Sequence, residues 1–281
     1  MTTAMTETSQ RPRLPQPVAT LGPRHMGRIN GRGLWTLYVK EVRRFLNVFT
    51  QTVMAPMVTM LLFLAIFTLA LGRDNVTFGE ISYAEFLAPG LVMMAVIQNA
   101  FANTSSSLLI GKIQGNIVDV LMPPLSASEL TLGFVGGGVT RGIVVGVAVT
   151  LGMWLFVPIR IHDPLAIAWF GINAAVMLSL LGMIGGIWAD KFDHIAAVTN
   201  FVIVPFSFLS GTFYSIERLP ETWKFVAHLN PFFYQIDGFR YGFLGQHDSN
   251  LVIGAVFVGG VNLCLWLLVH RMFASGYKLK P

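Results

Sequence analysis

The sequence predicts an all-α polytopic membrane protein. Six transmembrane helices are preceded by an N-terminal amphipathic interfacial helix, re-entrant helices lie between spans five and six, and both termini are cytoplasmic. Three observations carry this. Of 281 residues, 54% are hydrophobic and only 12% are charged, where a soluble domain carries about a quarter. Six apolar runs reach the roughly 20 residues that cross a hydrocarbon core of about 30 Å. Eight of the nineteen Lys and Arg fall before residue 45, an asymmetry that reads as topology and not as nucleic-acid binding.

Residues 1–32 are rich in Thr, Pro, Arg and Gly without apolar periodicity, and read as a disordered cytoplasmic tail. The first apolar run begins near Val53 and is long enough to span, so no cleaved signal peptide is expected. The remainder, 33–281, reads as one six-span domain. It opens with GLWTLYVKEVRRFLNVFTQ, in which Leu34, Tyr38, Val42, Phe45 and Phe49 share one helical face while Lys40, Arg43, Arg44 and Asn47 line another. Trp35 and the basic residues suit the headgroup layer.

The spans are expected at about 53–71, 86–110, 130–158, 165–189, 195–213 and 251–273. With the amino terminus inside, thirteen Lys and Arg fall on the inner side and five on the outer side, with Arg141 inside a span. The positive-inside rule then puts both termini and the 111–129 connection in the cytoplasm. Between the fifth and sixth spans, WKFVAHL and PFFYQIDGFRYGFLG are too short or too broken to cross, yet too aromatic for a free loop. Two short helices dipping back into the outer leaflet fit, because non-helical backbone enters a bilayer only under protein or water cover.

Chemistry-bearing motifs are scarce. Gly111-Lys112 is followed by Ile113 and lacks the glycine a phosphate-binding loop needs. The six His are scattered, which argues against a metal site, and Cys264 is the single Cys, so no disulfide forms within a chain. Asp190-Lys191-Phe192-Asp193-His194 reads as a solvated turn. Inside the spans, Gln98, Asn99, Asn103 and Arg141 are polar groups that want partners, as are Asn173, Asn200 and Asn262. Gly138, Gly142 and Gly146, and again Gly182 and Gly186, repeat every four residues and read as sites of close helix approach. Pro56, Pro89 and Pro205 permit kinks.

The island GKIQGNIVDVLMPPLSASE separates the second and third spans. A short helix there, closed by Pro123-Pro124 and restarted by a Ser126/Glu129 capping box, is rigid and longer than a plain connection requires. It reads as a docking surface for another protein. Near the other face, Asn230, Pro231, Tyr234 and Tyr241 belong to an aromatic layer, and Asp237 and Arg240 are spaced to pair on a short helix. An interfacial anchor and an exit gate both fit that layer.

Along nearly the whole chain after residue 33, this order resembles the membrane subunits of ATP-binding-cassette exporters of the type 2 permease class, especially the bacterial drug- and polysaccharide-type branch. The likeness rests on MPPLSASELTLGFVGGGVTRG, FLSGTFYSIERLPETW and NPFFYQIDGFRYGFLG at their present spacing. It implies a multi-pass protein of the bacterial inner membrane, without cofactor of its own and without catalytic or metal-binding residues. Its partners would be a second permease subunit in a homodimer and a cytoplasmic ATPase that binds the ATP and Mg. It implies that residues 111–121 form the coupling helix, with Gly111, Lys112, Gln114, Gly115, Asn116, Asp119 and Val120 touching the ATPase. Lys40, Glu41, Arg43 and Arg44 would frame the docking cleft, and the aromatic layer would hold the outer gate. The cargo would be drug, lipid or glycan. An ion-coupled transporter or channel would instead want paired intramembrane carboxylates, and no Asp or Glu lies deep in an expected span. A membrane enzyme would want a cluster of His, Asp or Glu at one face.

Overall fold

The computed structural model describes residues 29–71, 77–78, 81–216 and 219–279; most of the expected tail lies outside these. Six helical segments in it are long and apolar enough to cross a membrane: Thr50–Ala70, Tyr83–Ile113, Ala127–Trp154, Pro164–Trp188, Phe192–Leu209 and Leu251–Ser275. Helix α1 (Gly31–Leu46) precedes them. The spans are α2 (Ala55–Leu71) with the turn before it, α3 (Tyr83–Ile113), α5 (Ala127–Trp154), α6 (Pro164–Trp188), α7 and α8 (Phe192–Val198, Val204–Leu209), and α11 (Leu251–Ser275). Shorter helices are α4 (Ile117–Leu121), α9 (Glu221–Leu229) and α10 (Pro231–Leu244). Among the described residues, strand structure is confined to a small antiparallel ribbon, β1 (Thr77–Phe78) against β2 (Ile81–Ser82), in the first polar connection.

Helix α3 is the axis. Its 31 residues make a rod of about 46 Å at 1.5 Å per residue, and 83% of its most apolar window is buried. Ser82 and Glu85 form a capping box at its start, which satisfies backbone donors a helix otherwise leaves open. Its close neighbours are α5 and α6, and the glycines explain why. A Cβ added to Gly182 would overlap Thr104 Oγ1, and one on Gly186 would lie 2.9 Å from both Leu108 Cβ and the Ser105 carbonyl. Gly142 and Gly146 of α5 meet Val96 of α3 in the same way. The four-residue glycine repeats are thus used within this chain, to bring backbones together.

A second glycine row on α5 seats α1. Gly133, Gly136 and Gly137 face Leu37, Tyr38 and Glu41, and Asn30 caps α1 while its backbone N–H donates to Glu129 Oε1. The helix begins at Gly31, inside the stretch expected as tail. Its buried residues are Leu37, Glu41 and Phe45, so the packed stripe is turned from the one expected through Val42 and Phe49, and Phe49 is exposed. The cause is that Glu41, a charge that apolar periodicity assigns outward, finds polar partners on α3.

Both of the least buried spans carry a widened turn. Residues Thr50–Met54 and Thr199–Ile203 are π-helical, with Ala55 N–H bonding to the Thr50 carbonyl and Val204 N–H to that of Thr199. Pro56 and Pro205 follow directly. A proline has no N–H for the carbonyl four residues back and crowds it, and a wider turn relieves that crowding.

Candidate functional site

Helix α3 ends where Gln114 bonds back to the Ile110 carbonyl and Gly115 turns at φ +76°. That left-handed conformation costs an L side chain about 1–2 kcal/mol, so glycine is what the turn requires. The turn launches α4, and Ile117 pins α4 to a core shared with Leu37, Leu108 and Leu130. Around that single buried anchor, Gln114, Gly115, Asn116, Val118 and Asp119 are exposed, Val120 is half-buried, and Met122 is 76% exposed. The chain re-enters at Ser126, whose side chain and backbone N–H exchange hydrogen bonds with Glu129. The expected coupling helix is therefore shorter than 111–121. Gly111 and Lys112 belong to the last turn of α3, and Lys112 Nζ donates to the carbonyls of Ile187 and Ala189 at 2.7 Å, capping the end of α6.

Two groups of polar residues that look unrelated in sequence meet on α3 between its middle and the α4 end. Glu41 is fully buried, accepts from Ser107 Oγ at 2.7 Å and pairs with Arg44 at 3.3 Å. Arg44 continues to Ser106 Oγ at 3.1 Å and, through Nη2, to the Asn103 carbonyl and Oδ1 at 2.6 and 2.9 Å. One turn along α3, Asn99 Oδ1 accepts from Arg141 Nη2 at 3.0 Å. The network ties α1 and α5 to α3 at neighbouring levels. Of the residues expected to frame a docking cleft, Lys40 and Arg43 are exposed, whereas Glu41 and Arg44 face inward. Gln98 is half-buried on α3.

At the opposite end α10 is wedged among α3, α6 and α11. Added Cβ atoms at Gly238 and Gly242 would overlap the Phe170 ring and approach Ile167. Asn230 caps α10, with Pro231 in its first turn, and also donates from Nδ2 to the Phe206 carbonyl at the end of α8. The expected Asp237–Arg240 pair is replaced by longer-range bonds. Asp237 accepts from the N–H groups of Asp248 and Ser249 at 2.8 and 2.9 Å. Arg240 Nη2 donates to the Gly211 carbonyl at 2.6 Å, and its guanidinium lies 3.9 Å over the Phe86 ring. Tyr234 packs on Phe257 of α11, and Tyr241 stands between His162 and His247. Helix α10 thereby fastens five separate loops and helix ends together.

The widened turns are the feature that reading for hydrophobic period misses. A signal for them exists: TQTVMAP and TNFVIVP share Thr, an amide, Val and Pro at the same offsets. In both, the amide residue, Gln51 or Asn200, is exposed on the span's surface. Among the described residues no group of three or more His, Cys, Asp or Glu is placed to hold a metal.

Comparison with known proteins accords with this geometry. Residues 32–244 match the family model described as ABC-2 type transporter. The chain is 40% identical over 242 residues to the inner membrane transport permease YadH of Escherichia coli (strain K12), covering 85% of this chain and 94% of that one. It is 26% identical over 202 residues to nodulation protein J of Rhizobium leguminosarum bv. viciae, covering 69% and 74%. A nodulation protein J from Rhizobium meliloti (strain 1021) is 27% identical over 195 residues.

Proposed function

Since the chain belongs to the ABC-2 type transporter family and is the membrane component of a transporter, we propose that it is the permease subunit of an ATP-driven exporter of the bacterial inner membrane. A separate cytoplasmic ATPase docks on α4 and supplies the energy. The observation that carries this is the junction of α3 and α4: a short helix with exposed Val118, Asp119 and Met122, joined to a buried rod that runs the depth of the protein. Force on α4 reaches the far end because a continuous helix transmits displacement along its axis, and the Glu41–Arg44–Asn103 network carries α1 with it. Lys40 and Arg43, exposed on α1, extend the docking surface.

Pairing with a second copy is supported by the spans that are least covered. Only 17% of the apolar stretch in the Thr50–Ala70 span is buried and 11% of that in Phe192–Leu209, and each span presents an exposed amide, Gln51 or Asn200. Amides are costly against lipid, so a second subunit and a polar path between the two copies account for them. Drug, lipid or glycan cargo fits a path of mixed polarity, with outward movement past the α10 layer. In this reading α9 and α10 are re-entrant on the outer side, their aromatic groups anchoring or gating, and both termini are cytoplasmic.

The test is co-purification of the cognate ATPase and its hydrolysis rate in reconstituted vesicles. Val118→Asp and Met122→Glu change exposed side chains only. They are expected to abolish ATPase retention while the permease stays monodisperse. Retention at the original level in both variants, or labelling of Val118→Cys (in a Cys264→Ser background) by an impermeant reagent from outside intact cells, refutes the reading.

A further inference from the structure

Away from α4, the facing parts of α5 and α6 separate and leave a cleft of about 460 Å³ between them. Val147, Leu151 and Trp154 of α5 form one wall, Ala168 and Ile172 of α6 the other, and Phe239 of α10 lines it too. The walls are almost wholly apolar, and the hydroxyl of Thr150 in the lining is already bonded to the Gly146 carbonyl at 2.8 Å. Along α5 the lining runs from Ile143 to Trp154, about 16 Å at 1.5 Å per residue. One leaflet of a hydrocarbon core of about 30 Å has nearly the same depth. An apolar trough of that length matches an extended acyl chain lying along it.

Charge of both signs lies in a crevice that adjoins the cleft. This small crevice shares Val92, Thr150, Ile159 and Phe243 with the cleft, and Arg160 and Glu85 both line it. Glu85 uses Oε2 in the capping box with Ser82, which leaves Oε1 for a further donor. Trp154, 65% exposed, lines the cleft at the last residue of α5, a place suited to an indole at a membrane interface. We propose that this cleft is a binding site for one zwitterionic glycerophospholipid with a primary ammonium headgroup. An acyl chain fills the space between α5 and α6, the phosphate meets Arg160, and the ammonium donates to Glu85.

The experiment is native mass spectrometry of the full-length protein reconstituted with defined dioleoyl lipids and then stripped by detergent. One phosphatidylethanolamine per chain is expected to survive stripping. Phosphatidylcholine, whose quaternary ammonium has no N–H, and phosphatidylglycerol, which has no cation for Glu85, are expected to be retained about tenfold less, equivalent to about 1.4 kcal/mol. Val147→Trp and Ala168→Phe fill the cleft from exposed wall positions and are expected to lose the lipid with thermal stability unchanged. Arg160→Gln and Glu85→Gln are each expected to lower phosphatidylethanolamine retention about tenfold, and glycerophosphoethanolamine without acyl chains is expected not to compete. Equal retention of the three lipids, or undiminished retention in the filled-cleft variants, overturns the proposal. Disulfide crosslinking of Val147→Cys between two copies in native membranes (again with Cys264→Ser) overturns it as well, because protein would then cover the cleft.

Discussion

Removing the Arg44 guanidinium strands a carboxylate. Glu41 is fully buried, and its remaining partner in Arg44→Met is the Ser107 hydroxyl. Breaking a buried ion pair from one side costs about 3–5 kcal/mol, because the surviving charge keeps its desolvation penalty. Arg44 retains some exposure, 28% of its side chain, which places the expected loss near the lower figure, about 3 kcal/mol. Glu41→Gln leaves a neutral amide of the same shape and is expected to lose about 1 kcal/mol, the net worth of a hydrogen bond. In the double variant no charge is stranded, so the loss is expected to be about 2 kcal/mol, less than the sum of the singles by roughly the same amount. A double-mutant cycle isolates that coupling, read from SDS-titrated unfolding in mixed micelles with the tryptophan signal. Additive losses within about 0.5 kcal/mol would mean that Glu41 and Arg44 do not depend on each other, and the account of how α1 is held to α3 would fail.

Two other perturbations are smaller. Asp190, outside the spans, accepts from Lys278 at 3.1 Å and lies 3.6 Å from Lys112; the bond from Lys278, then the nearby positive charges, hold its pKa below the ordinary 3.8. A lowered folded-state pKa stabilises at pH above the unfolded value and loses that contribution as pH falls through the folded one. The C-terminal turn is therefore expected to loosen only in acid, with Asp190→Asn producing the same loosening at neutral pH; proteolysis of the C-terminal residues measures both, and an Asp190→Asn protein as resistant as the parent at pH 7 contradicts the assignment. Asn262 of α11 donates to the Asn173 carbonyl and Oδ1 of α6 at 3.1 and 3.0 Å. Asn262→Ala is expected to cost about 1 kcal/mol, within the range for amides bonded across helices in bilayers, and a change above about 3 kcal/mol in the same SDS titration would point to a larger role.

Much of this architecture is legible from composition alone, since a span announces itself by length and apolarity whatever it packs against. The Ser126/Glu129 box was equally readable, because its two partners are three residues apart. What escaped reading is what depends on distant partners. Glu41 turns inward because Arg44 and Ser107 satisfy it; no local pattern encodes the position of Ser107. Lys112 resembles a docking charge until the end of α6 is brought beside it. Asp237 and Arg240 have the spacing of a helical pair, yet backbone groups of the 248–249 turn and of Gly211 reach them first. The glycine repeats were legible as close contacts but not as to which helix makes them.

The widened turns at Thr50–Met54 and Thr199–Ile203 each insert one residue into a helical repeat. One extra residue turns everything beyond it by about 100° around the axis relative to an unbroken helix. A helical wheel drawn straight through either segment therefore mixes two different sides of the same rod. Any scan of positions along these rods has to be phased separately before and after the insertion, or neighbours in space will be scored as strangers.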